Sequence, residues 1–327
     1  MSNGVTTAVV IIGRNEGERL LRCLASVRGR AASVVYVDSG STDGSVQAAR
    51  EAGADVLLLD QTLPFTAARA RNAGWRRALQ LRADLRAIQF VDGDCELCPG
   101  WLDAAAAQLV RQPQVAAVCG QRRERFPRAS VYNQLCDYEW RKAAGPVLHL
   151  GGDAMLSVDA LLQVGGYCDD LIAGEEPELS VRLRAKGWTL LAIADDMSLH
   201  DAAILRFSQW WRRTRRSGYA YAQGAAMHGA PPERHFLRET RRAVAWGLVL
   251  PAAAATAWLW SGAAATALLL AYPAQMVRLW LRSAAPARER GLSAVFNTLA
   301  RFPEVMGVMQ FCRDRLLGRR GLLIEYK

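Results

Sequence analysis

Four short stretches place acids and one histidine where they could do chemistry. Asp92-Gly93-Asp94 follows directly on the apolar run AIQFV (87–91), and open α/β sheets bind ligands at the carboxyl ends of their strands. Asp92 and Asp94 stand two apart, on one side of the chain wherever it stays extended. Two carboxylates so held can bind a hard divalent cation, Mg2+ or Mn2+, that neutralises a diphosphate. The alternative is an Asp-Gly turn whose acids only cap the loop.

VDSGSTDGS (37–45) also follows a β-branched run, and its Asp38 could accept hydrogen bonds from a ribose or base or simply close an Asx turn. In AGEEPELSVRLRAKGW (173–188), Glu175 and Glu176 sit just before the expected first turn of a helix. Backbone N–H groups and the helix dipole favour carboxylates there, either as caps or as a general base for a hydroxyl proton. His200, after the run TLLAIA (189–194), is a structural histidine or a further metal ligand, and only the company of Asp92 and Asp94 favours the second.

The elements that must position these groups read as an α/β fold. Strands are predicted at 8–12, 33–37, 55–59, 87–91 and 115–119, alternating with helices near 17–28, 45–52, 66–81 and 100–111. That alternation predicts βαβ units and a mostly parallel sheet flanked by helices. Farther on, a polar helix is predicted at 131–143 and a helix at 177–186, with Pro177 in its first turn and Gly187 just past its end.

Residues 243–277 carry no charge, and Arg241-Arg242 precede them while Arg278 and Arg282 follow. A single straight helix of that length would run roughly 50 Å, against about 30 Å of hydrocarbon. Two helices of about 17 residues joined near Ser261-Gly262 fit better, crossing twice or dipping as a hairpin from a basic, cytoplasmic side. An Ala-rich helical pair packed on a soluble domain is the other reading. The segment after it, with Pro303 as a kink or boundary, is predicted as an amphipathic surface helix or a core-packing one. The domains expected are a catalytic one over 1–225 and a helical region over 226–327.

The 327 residues carry a formal net charge of +10, almost all of the positive side chains being Arg. The Arg-rich stretches flank the apolar segment, which favours a membrane surface over nucleic acid; no nucleic-acid-binding motif is present, so no such partner is expected. Seven Cys at irregular spacing predict reduced thiols, and Cys95-x-x-Cys98 lacks a second pair or a nearby His to complete a zinc site. AVVIIG is too short for the apolar core of a signal peptide, so the expected location is the cytoplasmic side of the inner (plasma) membrane.

The ordered set of VVIIGRNEGERLLRCLASV, VDSGSTDGS, FTAARARNAGWRRA, VDGD, GGDAMLSVDALLQVGGY and GEEPELSVRLRAKGW resembles the family-2 glycosyltransferases with the GT-A fold, over roughly residues 5–225. The resemblance implies a Rossmann-like, mixed but mostly parallel sheet. It implies a nucleotide-sugar donor, a UDP-sugar first of all, and a glycan or lipid-linked acceptor. Gly13, Arg14, Glu16, Asp38 and Arg71 would line the nucleotide pocket; Asp92 would touch ribose or metal, and Asp94 and His200 would ligate the metal. Family members invert by direct displacement, so a carboxylate must take the acceptor proton. Glu176 is the choice, with Glu175 beside it because this chain has Glu-Glu where the family usually has Glu-Asp. Ile12 stands where a Pro is common.

QWWRRTRRSG (209–218) matches the Q-x-x-R-W motif of processive synthases only at Gln209 and Arg212, so processive synthesis is not expected. Arg212 could instead close over a diphosphate. Two rival functions are a polyprenyl-phosphate glycosyltransferase and a non-catalytic, sugar-nucleotide-binding membrane scaffold.

Overall fold

The structure, a computed structural model, describes residues 5–283, 285–319, 321 and 324–325. It divides into two compact units: residues 1–127, 139–171 and 175–203 form one, and residues 128–138, 172–174 and 204–327 the other. The expected boundary at 225/226 therefore falls inside a helix, Phe207–His228, of the second unit. The chain passes from the first unit to the second between Ala203 and Ile204, ahead of that helix.

The first unit begins with β1 (Thr7–Gly13), α1 (Glu18–Val27), β2 (Ser33–Asp38), α2 (Ser45–Glu51), β3 (Asp55–Leu58), α3 (Ala67–Leu81) and β4 (Ala87–Asp92). It continues with β5 (Cys95–Leu97), α4 (Trp101–Arg111) and β6 (Val115–Glu124). After α5 (Val131–Glu139), which lies almost wholly in the second unit, come β7 (Gly145–Pro146), β8 (Ala154–Ser157), α6 (Val158–Val164), α7 (Glu175–Ala185) and β9 (Thr189–His200).

The sheet order is β3-β2-β1-β4-β8-β6-β9-β5, with β7 on β9. Pairs β3-β2, β2-β1, β1-β4 and β6-β9 are parallel; those made by β8, β5 and β7 are antiparallel. This is the mixed, mostly parallel α/β sheet read from the sequence. β1 is buried almost throughout, as a strand covered on both faces must be. Leu20, Cys23, Leu24 and Val27 recur at helical spacing and bury one face of α1.

Helix α3 starts where Thr66 accepts the Arg69 amide at 3.1 Å. It approaches β1 closely at Gly74, where a Cβ would lie 2.3 Å from Val10 Cγ1. Gly74→Ala is therefore expected to cost about 1–3 kcal/mol through overpacking, measurable as a lower midpoint in urea with an unchanged slope.

The second unit adds α8 (Phe207–His228), α9 (Leu237–Val244), a π-helical turn (Ala245–Val249), α10 (Leu250–Trp258), α11 (Gly262–Leu269), α12 (Ala271–Arg282), α13 (Ala287–Leu299) and α14 (Arg301–Leu316). The π turn precedes Pro251, whose missing N–H disturbs the regular ladder. The chain does break at Ser261, whose hydroxyl caps α11 by accepting the Ala264 amide at 3.3 Å.

Helix α14 buries one face and exposes Met306, Met309 and Leu316 on the other. Pro303, Glu304, Val305, Gly307 and Val308 are buried, and α14 meets α8 where both carry glycine. A Cβ on Gly218 would fall 2.0 Å from the Glu304 carbonyl oxygen, and one on Gly307 2.1 Å from that of Arg215.

Candidate functional site

The carboxyl ends of three parallel strands set the site. In register, Gly13 of β1 faces Asp38 of β2, and Ile12 faces Asp92 of β4. Asp38 is buried and fully engaged: its Oδ1 accepts the Tyr36 hydroxyl at 3.0 Å, and its Oδ2 accepts the Gly40 and Ser41 amides at 2.9 and 2.8 Å. The carboxylate thus shapes the loop over the β1–β2 edge. Asn15, at φ 55°, ties the first loop to it by accepting the Thr42 amide at 2.7 Å. Arg14 is exposed, and Glu16 pairs with Arg19 at 2.8 Å. Glu16 also lines the Asp92–Asp94 turn, since a Cβ on Gly93 would lie 3.3 Å from its Cγ.

Arg71 of α3 is the hub. Its Nη1 lies 2.7 Å from Glu175 and 2.9 Å from Glu176, and its Nη2 lies 2.9 Å from Asp92. The guanidinium is almost wholly buried and sits over the Tyr167 ring. Burial disfavours its charge, but Glu176, Asp92 and Glu175 outweigh that and hold it protonated well beyond the usual Arg range. The two glutamates lie in the first turn of α7 rather than before it, because that helix starts at Glu175, with Pro177 as its third residue. Burial first, and then Glu175, push the Glu176 carboxyl up to about 7, against the pull of Arg71. Arg71→Met is expected to cost about 3–5 kcal/mol at pH 8, the loss that follows removal of one partner from a buried ion pair. The loss should be smaller at pH 5, where Glu176 takes a proton; chemical denaturation at the two pH values measures both.

A second Arg completes this side. Arg122 of β6 lies 3.4 Å from Asp92 and 3.6 Å from Asp153. Asp153 in turn accepts the Asp92 amide at 3.1 Å and the Ser198 hydroxyl at 2.6 Å. Gly152 is required here, because a Cβ would fall 2.8 Å from Asp92 Oδ2 and 3.2 Å from Arg71 Nη2.

Asp94 belongs to the adjoining pair. The chain turns at Gly93-Asp94 before β5 instead of running on extended, and the two aspartates have different partners. Asp94 Oδ2 lies 3.3 Å from His200 Nε2, both side chains being buried. The pairing of Cys95 with His200 across β5 and β9 fixes that meeting. His200 Nδ1 lies 3.6 Å from Glu124, and the ring packs edge-on to Trp140 at 4.5 Å. Trp140 also lies under Arg122, 4.9 Å from its guanidinium carbon.

Cys95 joins the two halves. Its ligand-capable atom is grouped with those of Asp94 and His200, and separately with those of Asp92 and Asp153, each set lying within 4.8 Å. Burial pushes the Cys95 thiol well above its usual range, although Arg122 opposes the shift. Asp92 therefore faces two guanidinium groups, while an Asp94 oxygen and a His200 nitrogen converge. That oxygen-and-imidazole pair, with a carboxylate behind the ring, suits a hard or borderline divalent ion.

Gly13, Glu16, Asp38, Arg71, Asp92, Asp94, Glu175, Glu176 and His200 all lie in the first unit, at or beside the strand ends. Arg212 is an exposed residue of α8 in the second unit. Sequence reasoning missed Arg122, Glu124, Trp140 and Tyr167. Asp153 stood inside the quoted GGDAM block without being singled out, and its Gly-Gly-Asp context was the available signal.

A mixed sheet with acids at the carboxyl ends of its parallel strands, tied by a buried Arg, defines a GT-A glycosyltransferase fold. Residues 8–146 match the family described as Glycosyl transferase family 2. The mannosyltransferase PcManGT from Pyrobaculum calidifontis, solved with GDP-Man and Mn2+, superposes with a TM-score of 0.65 at 22% identity, over 96% of this chain and 89% of that one. Glucosyl-3-phosphoglycerate synthase from Mycobacterium tuberculosis, solved with Mn2+, UDP and phosphoglyceric acid, gives a TM-score of 0.50 at 19% identity, over 70% of this chain and 80% of that one. A TPR repeat-containing protein of Synechococcus elongatus is 42% identical over 62 residues, which span 19% of this chain and only 15% of that protein.

Proposed function

We propose that this protein is an inverting glycosyltransferase that moves a sugar from a nucleotide-sugar donor to a hydroxyl of a glycan or lipid-linked acceptor at a cytoplasmic membrane face. The observation that carries the reading is the Arg71 hub, which holds Glu175, Glu176 and Asp92 together beside the Asp94–His200 pair.

Asp94 and His200 would hold a divalent ion, Mg2+ or Mn2+, and Asp92 would reach the ribose or that ion. When bound, such an ion supplies positive charge against a departing diphosphate. Arg71 orients the glutamates, and Glu176, with its affinity for protons raised toward neutrality, takes the proton of the attacking hydroxyl. Asp38 and the Asn15-braced loop form the floor for the base and ribose.

The membrane part rests on the second unit. Residues 262–282 form a helix long and apolar enough to cross a bilayer, and almost none of it is buried within the protein. Trp258, Leu259 and Trp260, at the turn before it, are among the most exposed large apolar side chains.

The decisive experiment is donor hydrolysis across a panel of nucleotide sugars with Mn2+ or Mg2+, UDP-sugars first and GDP-mannose next, as in the mannosyltransferase of similar fold. Metal-dependent release of a nucleoside diphosphate from one donor supports the reading. No release from any donor, while one of them still binds tightly, would favour a non-catalytic binding protein.

A further inference from the structure

A cavity of about 210 Å³ lies in the second unit, lined by Arg242, Trp246, Gln275, Leu279, Asn297 and Arg301 among others. Its position in the chain is informative. Arg242 is the last charge before the charge-free stretch 243–277, and Gln275 and Leu279 bracket the point where charge returns at Arg278. The cavity therefore sits at the base of the helical hairpin. There the Tyr272 hydroxyl donates to the Trp246 carbonyl at 2.6 Å and clamps the two arms together.

Two Arg line the cavity, Arg242 and Arg301, and Glu304 and Glu239 act on Arg301 from nearby. Arg301, almost wholly buried, pairs with Glu304 at 2.6 Å and donates to the Asn297 carbonyl at 3.0 Å. Arg242 Nε is shut off from solvent without a hydrogen-bond partner among the described residues. Burial, and then the nearby Arg242, pull the Arg301 guanidinium below its ordinary range, with Glu304 opposing. A buried donor left unmade is costly, and an anion entering the cavity would give Arg242 Nε a partner. Gly247 lets the wall close in, because a Cβ there would fall 2.3 Å from the Arg301 carbonyl oxygen.

The hairpin above the cavity presents apolar side chains outward. Ala254 of α10 and Ala265 of α11 are buried, while Leu248, Val249, Trp258, Leu259, Trp260 and Leu270 are exposed. Small residues between helices with large apolar ones facing out is the pattern of helices in lipid, where neighbouring chains cover what water would not. Lys and Arg at such a level meet phosphate headgroups.

We infer that this cavity binds the phosphate of an anionic membrane lipid, with Arg242, Arg301 and Asn297 around the phosphate and the lipid chain lying along the exposed hairpin. The inference rests on the membrane reading above, and its chemistry, a phosphate ester, is shared with soluble phosphates.

The full-length protein in neutral detergent, titrated with short-chain phosphatidic acid, separates these sources. Binding is expected to weaken about ten-fold or more in Arg242→Gln, which removes the unpartnered cation. The same loss is expected in Asn297→Asp, an exposed and nearly isosteric change that sets a carboxylate against the phosphate. Inorganic phosphate should bind more weakly than the lipid. Wild-type affinity in both variants would overturn the site, and equal affinity for inorganic phosphate would reassign it to a soluble ligand. Flotation with phosphatidylglycerol-containing vesicles tests the membrane reading separately, with Leu259→Glu/Trp260→Glu expected to abolish it. Wild-type protein that stays off vesicles yet binds short-chain phosphatidic acid through Arg242 would defeat the membrane reading and leave the phosphate pocket standing.

Discussion

Asp94→Ala is expected to abolish sugar transfer and donor hydrolysis, with kcat/KM falling by about 10³-fold or more, as when a group stabilising transition-state charge is removed. Asp94 and His200 are both buried, and their facing atoms stand 3.3 Å apart. Removing the carboxylate leaves the imidazole and a thiol held in its neutral form, a poor cage for Mg2+ or Mn2+. Chelation of the wild type should give the same loss and be reversed by Mn2+, whereas Mn2+ should not rescue the variant. Nucleotide binding should weaken less than transfer, since Asp38 and the first loop are untouched. A variant that kept its rate after exhaustive chelation would remove the metal from the mechanism. His200→Ala should follow the same pattern at smaller amplitude, because a hard oxygen ligand matters more than an imidazole to these ions.

The parts of this site that were legible in the sequence are those on strands with ordinary apolar patterning. β1, β2 and β4 read as continuous β-branched or apolar runs, so the acids just beyond them could be placed at the sheet's edge. β6 and β9 were read only over their apolar first halves. Each runs on through polar residues, to Glu124 and to His200, and those residues are polar because they build the site: Arg122, Glu124, Ser198 and His200 face partners, not the core. Polar partners along these halves replace the alternation that marks a strand. β5 and β8, three and four residues long, are too short to show any period, and their antiparallel pairing depends on neighbours far away in sequence. The same distance hid Arg71 as a hub. Its partners stand 21 and 104 residues along the chain at Asp92 and Glu175, so spacing could not reveal that one guanidinium gathers three carboxylates. The alternative reading of Asp38 as an Asx-turn residue proved structurally apt, and it does not compete with a place under the nucleotide. A loop must be stiff before it can hold a ligand.

Glu176→Gln tests the base and bears the sharpest pH signature. With its carboxyl pushed up to about 7 by burial and by Glu175, Glu176 is only partly ionised at neutrality. As a general base it must be ionised, so wild-type kcat should rise with pH and level off above about 7. In Glu176→Gln, kcat should fall by about 10²–10⁴-fold, the range for loss of general-base catalysis, with that rise gone and donor affinity unchanged. Stability should move the other way. A carboxyl whose proton affinity is higher folded than unfolded stabilises the fold while it stays protonated, and that contribution is lost as pH climbs through the folded value. The glutamine variant should therefore melt higher than wild type at pH 8 and no higher at about pH 3.5, below the ordinary carboxyl range. Glu175→Gln is the control, since Glu175 shares Arg71 Nη1 from 2.7 Å and would inherit the role if the first assignment were off by one residue. The outcome that moves the base is a pH profile flattened by Glu175→Gln and left intact by Glu176→Gln. In either outcome the carboxylate concerned is one positioned by Arg71, because both glutamates reach the same guanidinium nitrogen in the opening turn of α7.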